Sequence, residues 1–110
     1  MLGIGELSVG LNAARGGSQT VYRVFRDEAV ALGKSWAPIN PNSVANFRNA
    51  AGLPNVNTGR FVIQGTVNKA DIILKRAALQ STGNKGGLME YIIDPSKINI
   101  QRVSGVNPKF

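Results

Sequence analysis

Glu90 is a lone carboxylate within an apolar stretch of the sequence. Segment 88–93 reads Leu-Met-Glu-Tyr-Ile-Ile, so Glu90 has hydrophobic neighbours on both sides. A carboxylate in this setting lies either on the solvent side of a half-buried strand or at the mouth of a site that tunes its properties. In a site, a fixed carboxylate stabilises positive charge that develops on a reacting group. Glu90 is therefore the first candidate for a chemical role.

Arg23 and Ser35 are the next candidates. Arg23 lies in an alternating segment, where it shares a face with Val21 and Phe25. Its guanidinium is a planar fork that binds phosphate or ribose oxygens in a geometry that lysine cannot reproduce. Ser35 lies in the short segment 34–38, and its hydroxyl is suited to hold a neighbouring carboxylate in one rotamer.

The sequence lacks both cysteine and histidine. Without cysteine, disulfides, thiolate metal sites and cysteine nucleophiles are excluded. Without histidine, the commonest general base and metal ligand is missing, which disfavours zinc hydrolases, Ser-His-Asp triads and histidine-based ribonucleases. Chemistry that needs only Arg, Ser and Glu is compatible with this composition, and no metal site is expected.

Thirteen Lys and Arg residues against six Asp and Glu residues give a net charge of +7. The basic residues are scattered, which predicts a basic surface with affinity for phosphates, RNA or an acidic protein. A chain of 110 residues with 43% hydrophobic residues fits one globular domain. No apolar run approaches the roughly 20 residues of a membrane helix, so no membrane anchor is expected.

Most of the elements that must position these residues are strands. β-Branched and aromatic residues in alternation predict strands at 20–25, 34–38, 60–67, 88–93 and 98–103. The last two are expected to pair as a hairpin across the turn 94–97. Segment 71–79 is ambiguous, because it satisfies helical spacing while its first four residues could equally extend a strand.

Short helices are expected at 27–32, at 44–51 before a stop at Gly52, and around 6–14. The helix at 27–32 begins with acidic residues and ends at Gly33. The helix at 44–51 is capped by Asn42 or Ser43 and turns Val44 and Phe47 toward the core. Together these elements predict an α+β domain over 20–110, preceded by a Gly-rich leader or junction at 1–19.

Three blocks of this sequence resemble the ADP-ribosyltransferase superfamily in the family's own order. Val21-Tyr22-Arg23 is similar to its strand arginine block, and Ser35 lies in a strand followed by a helix with an Ala-x-Phe pattern, like its serine block. Glu90 precedes three apolar residues, a Pro-containing turn and a final strand, like its glutamate block. The resemblance covers about residues 20–104.

The resemblance implies a small ADP-ribosyltransferase-like fold with two packed, mostly antiparallel β-sheets and two or three short helices. It implies NAD as the substrate, with Glu90 as the catalytic residue beside the sugar cation that forms when the nicotinamide-ribose bond breaks. Tyr22, Arg23, Ser35 and Trp36 are the implied NAD-binding residues. Trp36 either stacks on nicotinamide or fills the core.

Two departures from the family pattern bear on the acceptor. Trp36 and Ala37 stand where the family commonly has two further hydroxyl residues, so only Ser35 is carried over. Leu88 stands two positions before Glu90, where many members have Glu or Gln to orient the acceptor. The departure at Leu88 disfavours an arginine acceptor and leaves the acceptor open.

The chain also resembles the C-terminal toxin domain of Rhs-type polymorphic bacterial effectors, as a small basic domain with a Gly-rich leader. This resemblance implies secretion within a larger effector and action in the cytoplasm of a neighbouring bacterium. It implies a cognate immunity protein, expected to be acidic because the toxin carries +7. The target would be a protein or an RNA of the recipient cell, such as an elongation factor or ribosomal RNA.

Three alternatives stay open from the sequence. One is a metal-independent toxin ribonuclease of the barnase and colicin group, which would use Lys and Arg for phosphate and Glu90 or a lysine for proton transfer. Another is a nucleic-acid-binding module without enzymatic activity, which the small number of aromatic residues disfavours. The third is an NAD glycohydrolase, which has the same site and uses water as acceptor.

Overall fold

Six strands form two antiparallel sheets in residues 17–110, the part of the chain that the computed structural model describes. In chain order the strands are β1 (Ser18–Asp27), β2 (Ser35–Trp36), β3 (Asn57–Asn68), β4 (Ile72–Ala77), β5 (Met89–Ile93) and β6 (Asn99–Gly105). The first sheet has the order β1-β3-β6 and the second has the order β2-β5-β4. The expectation of two antiparallel sheets with few helices is confirmed, and the ambiguous segment 71–79 contributes strand β4.

The two sheets are joined at β1. Tyr22 of β1 and Ala37, which follows β2, exchange both backbone hydrogen bonds, at 2.8 and 2.7 Å. This bridge places the short strand β2 of the second sheet beside β1 of the first sheet. Arg23 and Ser35 are brought close together in this way, although 12 positions separate them in the sequence.

The main core lies between the sheets. Val21, Ile63 and Val67 of the first sheet pack against Trp36 and Ile93 of the second, and all five are almost fully buried. Burial of apolar surface of this kind is the dominant favourable contribution to folding. The core therefore fixes the faces of β1, β2 and β5 that carry the candidate residues.

A second, smaller cluster covers the other side of β1. Val24 and Phe47 are its largest buried members, and Phe110 closes it with a ring 5.5 Å from that of Phe47. Val44 also packs here, so the expectation that Val44 and Phe47 face the core is confirmed. Arg48 holds the C-terminal segment in place by donating to the main-chain oxygen of Phe110 at 2.8 and 3.0 Å.

Within residues 17–110 the helical elements are one short α-helix, α1 (Phe47–Ala51), and three 3-10 turns at Pro41–Ser43, Lys69–Asp71 and Pro95–Lys97. Asn46 caps α1 in a left-handed conformation, and Gly52 ends it at φ +62°. The predicted stop at Gly52 is confirmed. The predicted caps Asn42 and Ser43 are wrong, because Asn40 caps the 3-10 turn and Asn46 caps the helix.

The helix predicted at 27–32 does not form. Strand β1 continues to Asp27, which pairs with Asn57 of β3 after a bulge and has a positive φ of 57°. Phe25 stacks on Phe61 of β3 with ring centroids 5.6 Å apart. Pairing and stacking along β3 therefore extend the strand past the point where the acidic residues favoured a helical first turn.

The C-terminal hairpin prediction is wrong as well. Strand β5 pairs with β2 and β4, whereas β6 pairs with β3 in the other sheet. The 3-10 turn Pro95–Lys97 carries the chain from one sheet to the other. Both strands form close to their expected bounds, but they do not pair with each other: β5 pairs with β2, and β6 pairs with β3, each remote in the sequence.

Three expectations concern the leader, membranes and metals. The helix expected around 6–14 lies outside the described residues, and Ser18 and Gln19 of the expected leader belong to β1. Among residues 17–110 there is no helix long and apolar enough to cross a membrane. The same range contains no group of three Asp or Glu side chains placed to hold a metal ion.

Candidate active site

Arg23, Ser35 and Glu90 line one cavity of about 260 Å³. Strand β1 supplies Arg23, β2 supplies Ser35 and β5 supplies Glu90. The rest of the wall is largely apolar and includes Phe47 of α1 and Leu88. A concave, mostly apolar cavity with a few convergent polar groups is the usual form of a ligand site. We call this cavity the Glu90 cleft.

The hydroxyl of Ser35 donates a hydrogen bond to Oε2 of Glu90. The bond follows from the register of the second sheet, in which Ser35 of β2 lies opposite Ile92 of β5. Glu90 is two residues from Ile92 and therefore projects on the same face, diagonal to Ser35. The hydrogen bond fixes the direction in which the carboxylate points.

Arg76 is a site residue that the sequence did not reveal. It lies opposite Glu90 in the β4–β5 register, and its Nε donates to Oε1 of Glu90 at 2.9 Å. The Glu90 side chain is 17% exposed, while that of Arg76 is 43% exposed. One carboxylate oxygen of Glu90 thus accepts a hydrogen bond from Ser35 and the other accepts one from Arg76, at the rim of the Glu90 cleft. In the sequence, Arg76 lies in segment 71–79, whose residue spacing did not distinguish a helix from a strand. Nothing in the sequence therefore placed Arg76 opposite Glu90.

The guanidinium of Arg23 is largely occupied by backbone carbonyl groups. Nε and Nη2 donate to the carbonyl oxygen of Val30 at 3.0 and 2.8 Å, and Nη1 donates to that of Ser35 at 3.0 Å. A guanidinium has five N–H groups, so two remain for which residues 17–110 supply no acceptor. Burial lowers the pKa of Arg23 from its ordinary value, because desolvation disfavours the charged form. Arg23 therefore fixes the main chain at Ser35, and it also lines the Glu90 cleft.

Gly33 lies directly against this guanidinium. A Cβ atom at position 33 would meet Nη1 of Arg23 at 3.0 Å and would lie closer still to Cζ and Nη2. The carbonyl oxygen of Gly33 also accepts from the indole N–H of Trp36 at 2.9 Å. Arg23 and Trp36 thus both contact Gly33, in the loop that leads into β2 and Ser35.

Trp36 is a core residue in this structure. It borders the Glu90 cleft, but only 1% of it is exposed, and it packs with Val21 and Ile93 between the sheets. Stacking on a ligand requires an accessible ring face. The core-filling alternative therefore describes Trp36, and its assignment as an NAD-stacking residue is corrected. Tyr22, the remaining predicted binding residue, lines the cleft and is half-buried.

Loop 78–88 is attached to the C-terminal end of α1 just before the chain reaches Glu90. Gly86 and Leu88 donate through their backbone N–H groups to the carbonyl oxygens of Asn49 and Ala50, at 2.8 and 2.9 Å. The Asn49 carbonyl oxygen also accepts from the N–H of the cap residue Gly52 at 3.3 Å, whereas Leu88 gives the Ala50 carbonyl oxygen the partner that the last turn of a helix lacks. Leu88 is thereby held in the apolar wall beside Glu90.

Comparison of the chain with protein-family models, with curated proteins and with solved structures finds no match.

Proposed function

We propose that this chain is an NAD-dependent ADP-ribosyltransferase with an ADP-ribosyltransferase-like fold. One observation carries the proposal: the hydroxyl of Ser35 binds Glu90 at the mouth of a cleft that Arg23 also lines. These residues come from three separate strands, in the order of the family's three blocks. Their convergence is the arrangement that cleavage of NAD at the nicotinamide-ribose bond requires.

Glu90 has the central role in the proposed reaction. Breaking the bond between nicotinamide and ribose leaves an oxocarbenium-like sugar, and a fixed carboxylate nearby stabilises the growing positive charge. Such stabilisation is effective only when the carboxylate does not have to reorganise during the reaction. Ser35 supplies this condition, because its hydrogen bond restricts the rotamer of Glu90.

Arg23 contributes in two ways. Its three bonds to carbonyl oxygens hold the main chain that carries Ser35. Its two remaining N–H groups are suited to a ribose or pyrophosphate oxygen of the dinucleotide. The cleft of about 260 Å³ is slightly smaller than the roughly 300–1,000 Å³ found for ligand pockets. NAD would therefore place its nicotinamide-ribose half inside, beside Tyr22 and Glu90, and the adenosine half along the rim.

The biological setting that we propose is antibacterial. The chain would be delivered as the C-terminal toxin of a larger Rhs-type effector and act in the cytoplasm of the recipient bacterium. An acidic immunity protein would neutralise it, since a net charge of +7 accelerates association with a negatively charged partner. The target would be a component of translation, and transfer to water would make the enzyme an NAD glycohydrolase.

A ribonuclease is the second candidate, because Arg76 lies beside Glu90. A carboxylate next to an arginine can act as a general base beside a phosphate-binding group. In a ribonuclease, Arg76 would bind the phosphate that is attacked, and Arg76→Gln would abolish RNA cleavage. In a transferase, Arg76 only orients the carboxylate, and the same variant would retain measurable cleavage of NAD.

The decisive experiment incubates the protein with labelled NAD and bacterial lysate, with and without nuclease, and separately with purified tRNA. We expect nicotinamide release and label transfer without cleavage of tRNA. Glu90→Gln should abolish both NAD reactions while its circular dichroism spectrum and melting temperature stay close to those of the parent.

Glu28→Gln is the matched control, because Glu28 is exposed and does not line the Glu90 cleft. It removes the same charge and should leave NAD cleavage unchanged. Cleavage of NAD that persists in Glu90→Gln would contradict the assignment of Glu90. Cleavage of tRNA without nicotinamide release would establish the ribonuclease instead.

A further inference from the structure

A second cleft, of about 380 Å³, lies on the first sheet. Its polar lining consists of Asn40, Asn42, Gln64, Arg102, Ser104 and Asn107. We call it the amide cleft, because four of these six side chains are carboxamides. Nothing in the proposed NAD chemistry uses them.

Strand register explains why these side chains meet. Tyr22 of β1 lies opposite Gln64 of β3, and Gln64 lies opposite Arg102 of β6, so the three project from one face as a row. Ser104 lies in the neighbouring row, opposite Val62 of β3. The turn that begins at Asn40 forms one side of the cleft.

Gln64 holds the middle of the row. Its Oε1 accepts from Nη2 of Arg102 at 3.1 Å, and its Nε2 donates to Oε1 of Gln101 at 3.3 Å. The Arg102 guanidinium is thus directed over the sheet rather than away from it. Most of its five N–H groups stay available to a ligand.

The chemistry of the lining selects the class of ligand. Carboxamides donate and accept hydrogen bonds at once, which matches the edges of nucleobases, and arginine adds a donor for phosphate or guanine. None of the ten residues that line the amide cleft is Asp or Glu, so nothing there repels a polyanion. The net charge of +7 attracts the same class of ligand from a distance.

We propose that the amide cleft binds single-stranded nucleic acid, with unpaired bases on the carboxamides and a phosphate on Arg102. Tyr22 lines both clefts, so a strand bound here lies next to the proposed NAD site. Resting on the proposed function, this strand is the acceptor of ADP-ribose. As the nicotinamide-ribose bond breaks and neutral nicotinamide leaves with the bonding electron pair, an oxygen or nitrogen of the strand forms a bond to the same ribose carbon and releases its proton to solvent. The acceptor is thus a nucleic acid rather than a protein.

Fluorescence anisotropy with a labelled single-stranded RNA of about ten nucleotides tests the binding step. Arg102→Gln and the charge-neutral Gln64→Ala should each weaken binding about tenfold. Lys75→Gln is the control, because Lys75 lies on β4 of the other sheet and its loss removes the same charge as Arg102→Gln. It should weaken binding less than about threefold. Equal losses for Arg102→Gln and Lys75→Gln, with no effect of Gln64→Ala, would overturn the proposal in favour of non-specific attraction.

A second measurement separates this inference from the function it rests on. With labelled NAD, Gln64→Ala should release nicotinamide in the absence of RNA at the parent's rate and transfer less label to RNA. If the parent releases no nicotinamide, the transferase fails, while the anisotropy still decides whether the amide cleft binds RNA. Label found on a protein, unaffected by nuclease, would overturn the assignment of the acceptor.

Discussion

Ser35 donates its side-chain hydrogen bond to Glu90, a residue 55 positions further along the chain. The bond joins the strand β2, which has only two residues, to the central strand of the second sheet. Strand β2 is anchored on its other side by Arg23 of β1, which binds the Ser35 carbonyl oxygen at 3.0 Å. The backbone and side chain of Ser35 therefore connect the arginine and the carboxylate of the proposed site.

Ser35→Ala should lower kcat for NAD cleavage by roughly tenfold to hundredfold, because Glu90 loses the contact that orients it. The free energy of unfolding should change by no more than about 3 kcal/mol, the upper end for one hydrogen bond to a charged group. Steady-state nicotinamide release and urea denaturation measure the two effects. Ser35→Thr keeps the hydroxyl and should restore much of the rate, and equal rates for the Ala variant and the parent would remove Ser35 from the site.

Arg23→Lys should impair both stability and activity. A lysine has no planar fork, so it cannot serve the carbonyl oxygens of Val30 and Ser35 together. Leaving the part-buried carbonyl of Ser35 without its partner should cost about 1–3 kcal/mol in the free energy of unfolding. NAD cleavage should fall in parallel, because Ser35 loses its backbone support.

Arg26→Lys is the control for Arg23→Lys. Arg26 is exposed and lies over the Phe61 ring at 5.4 Å, where a lysine can also make a cation–π contact. The free energy of unfolding of Arg26→Lys should stay within about 0.5 kcal/mol of the parent's in the same denaturation experiment. An Arg23→Lys variant as stable as Arg26→Lys would show that the three carbonyl bonds contribute little.

The sequence predicts the strands that carry the site but not all of their partners. Strands β1, β3, β5 and β6 appear close to the expected bounds, since alternation is a local signal. The pairing of β5 with β4 requires segment 71–79 to be a strand, which its residue spacing does not decide, whereas a strand–turn–strand pattern favours a hairpin of β5 with β6. Arg76 was missed for this reason, because only the β4–β5 register places it beside Glu90.

The failed helix at 27–32 has a different cause. Its acidic first turn and Gly33 are genuine local signals for a helix. In the structure Arg23 binds the carbonyl oxygen of Val30, and Gly33 packs against the guanidinium. The same residues therefore serve as a loop that is fixed by a side chain from β1, and a tertiary contact of this kind overrides a helix propensity of a few tenths of a kcal/mol per residue.

Gly86→Ala should destabilise the protein more than Gly83→Ala, although both glycines have a positive φ, of 77° and 84°. An added Cβ at Gly83 meets nothing within 4 Å, whereas at Gly86 it lies 2.8 Å from the backbone of Leu79. Gly83→Ala should cost about 1–2 kcal/mol for the left-handed backbone alone. Gly86→Ala should cost a further 1–3 kcal/mol, on the order expected for overpacking, because backbone atoms must move.

The same pair of variants tests whether loop 78–88 positions Glu90. Gly86 donates to Asn49 of α1, so displacement of the loop should disturb the start of β5 and lower NAD cleavage. Gly83→Ala should retain the parent's kcat at a temperature where both variants are folded. Equal melting temperatures for the two variants would contradict the close contact between Gly86 and Leu79.

Asp94→Ala should destabilise the protein at neutral pH by an amount that shrinks as the solution is acidified. Asp94 caps the 3-10 turn between β5 and β6, and its Oδ1 accepts from the backbone N–H and the hydroxyl of Ser96, at 3.0 and 2.9 Å. These bonds, the backbone one first, hold the pKa of Asp94 below its ordinary value of 3.8. A pKa that is lower in the folded state gives stability that is present above 3.8 and is lost as the pH falls through the folded value.

Thermal melts of the parent, Asp94→Ala and Asp94→Asn from about pH 7 to about pH 2.5 measure this effect. The parent should exceed Asp94→Ala in melting temperature at neutral pH, and the gap should narrow in acid toward that between Asp94→Asn and Asp94→Ala once the Asp94 carboxylate is protonated. Asp94→Asn retains an oxygen that can accept from Ser96 but cannot titrate, so its difference from Asp94→Ala should not vary with pH. A parent-to-Ala gap that stays constant down to the lowest pH would mean that the ionised form of Asp94 gains nothing from the turn between the two sheets.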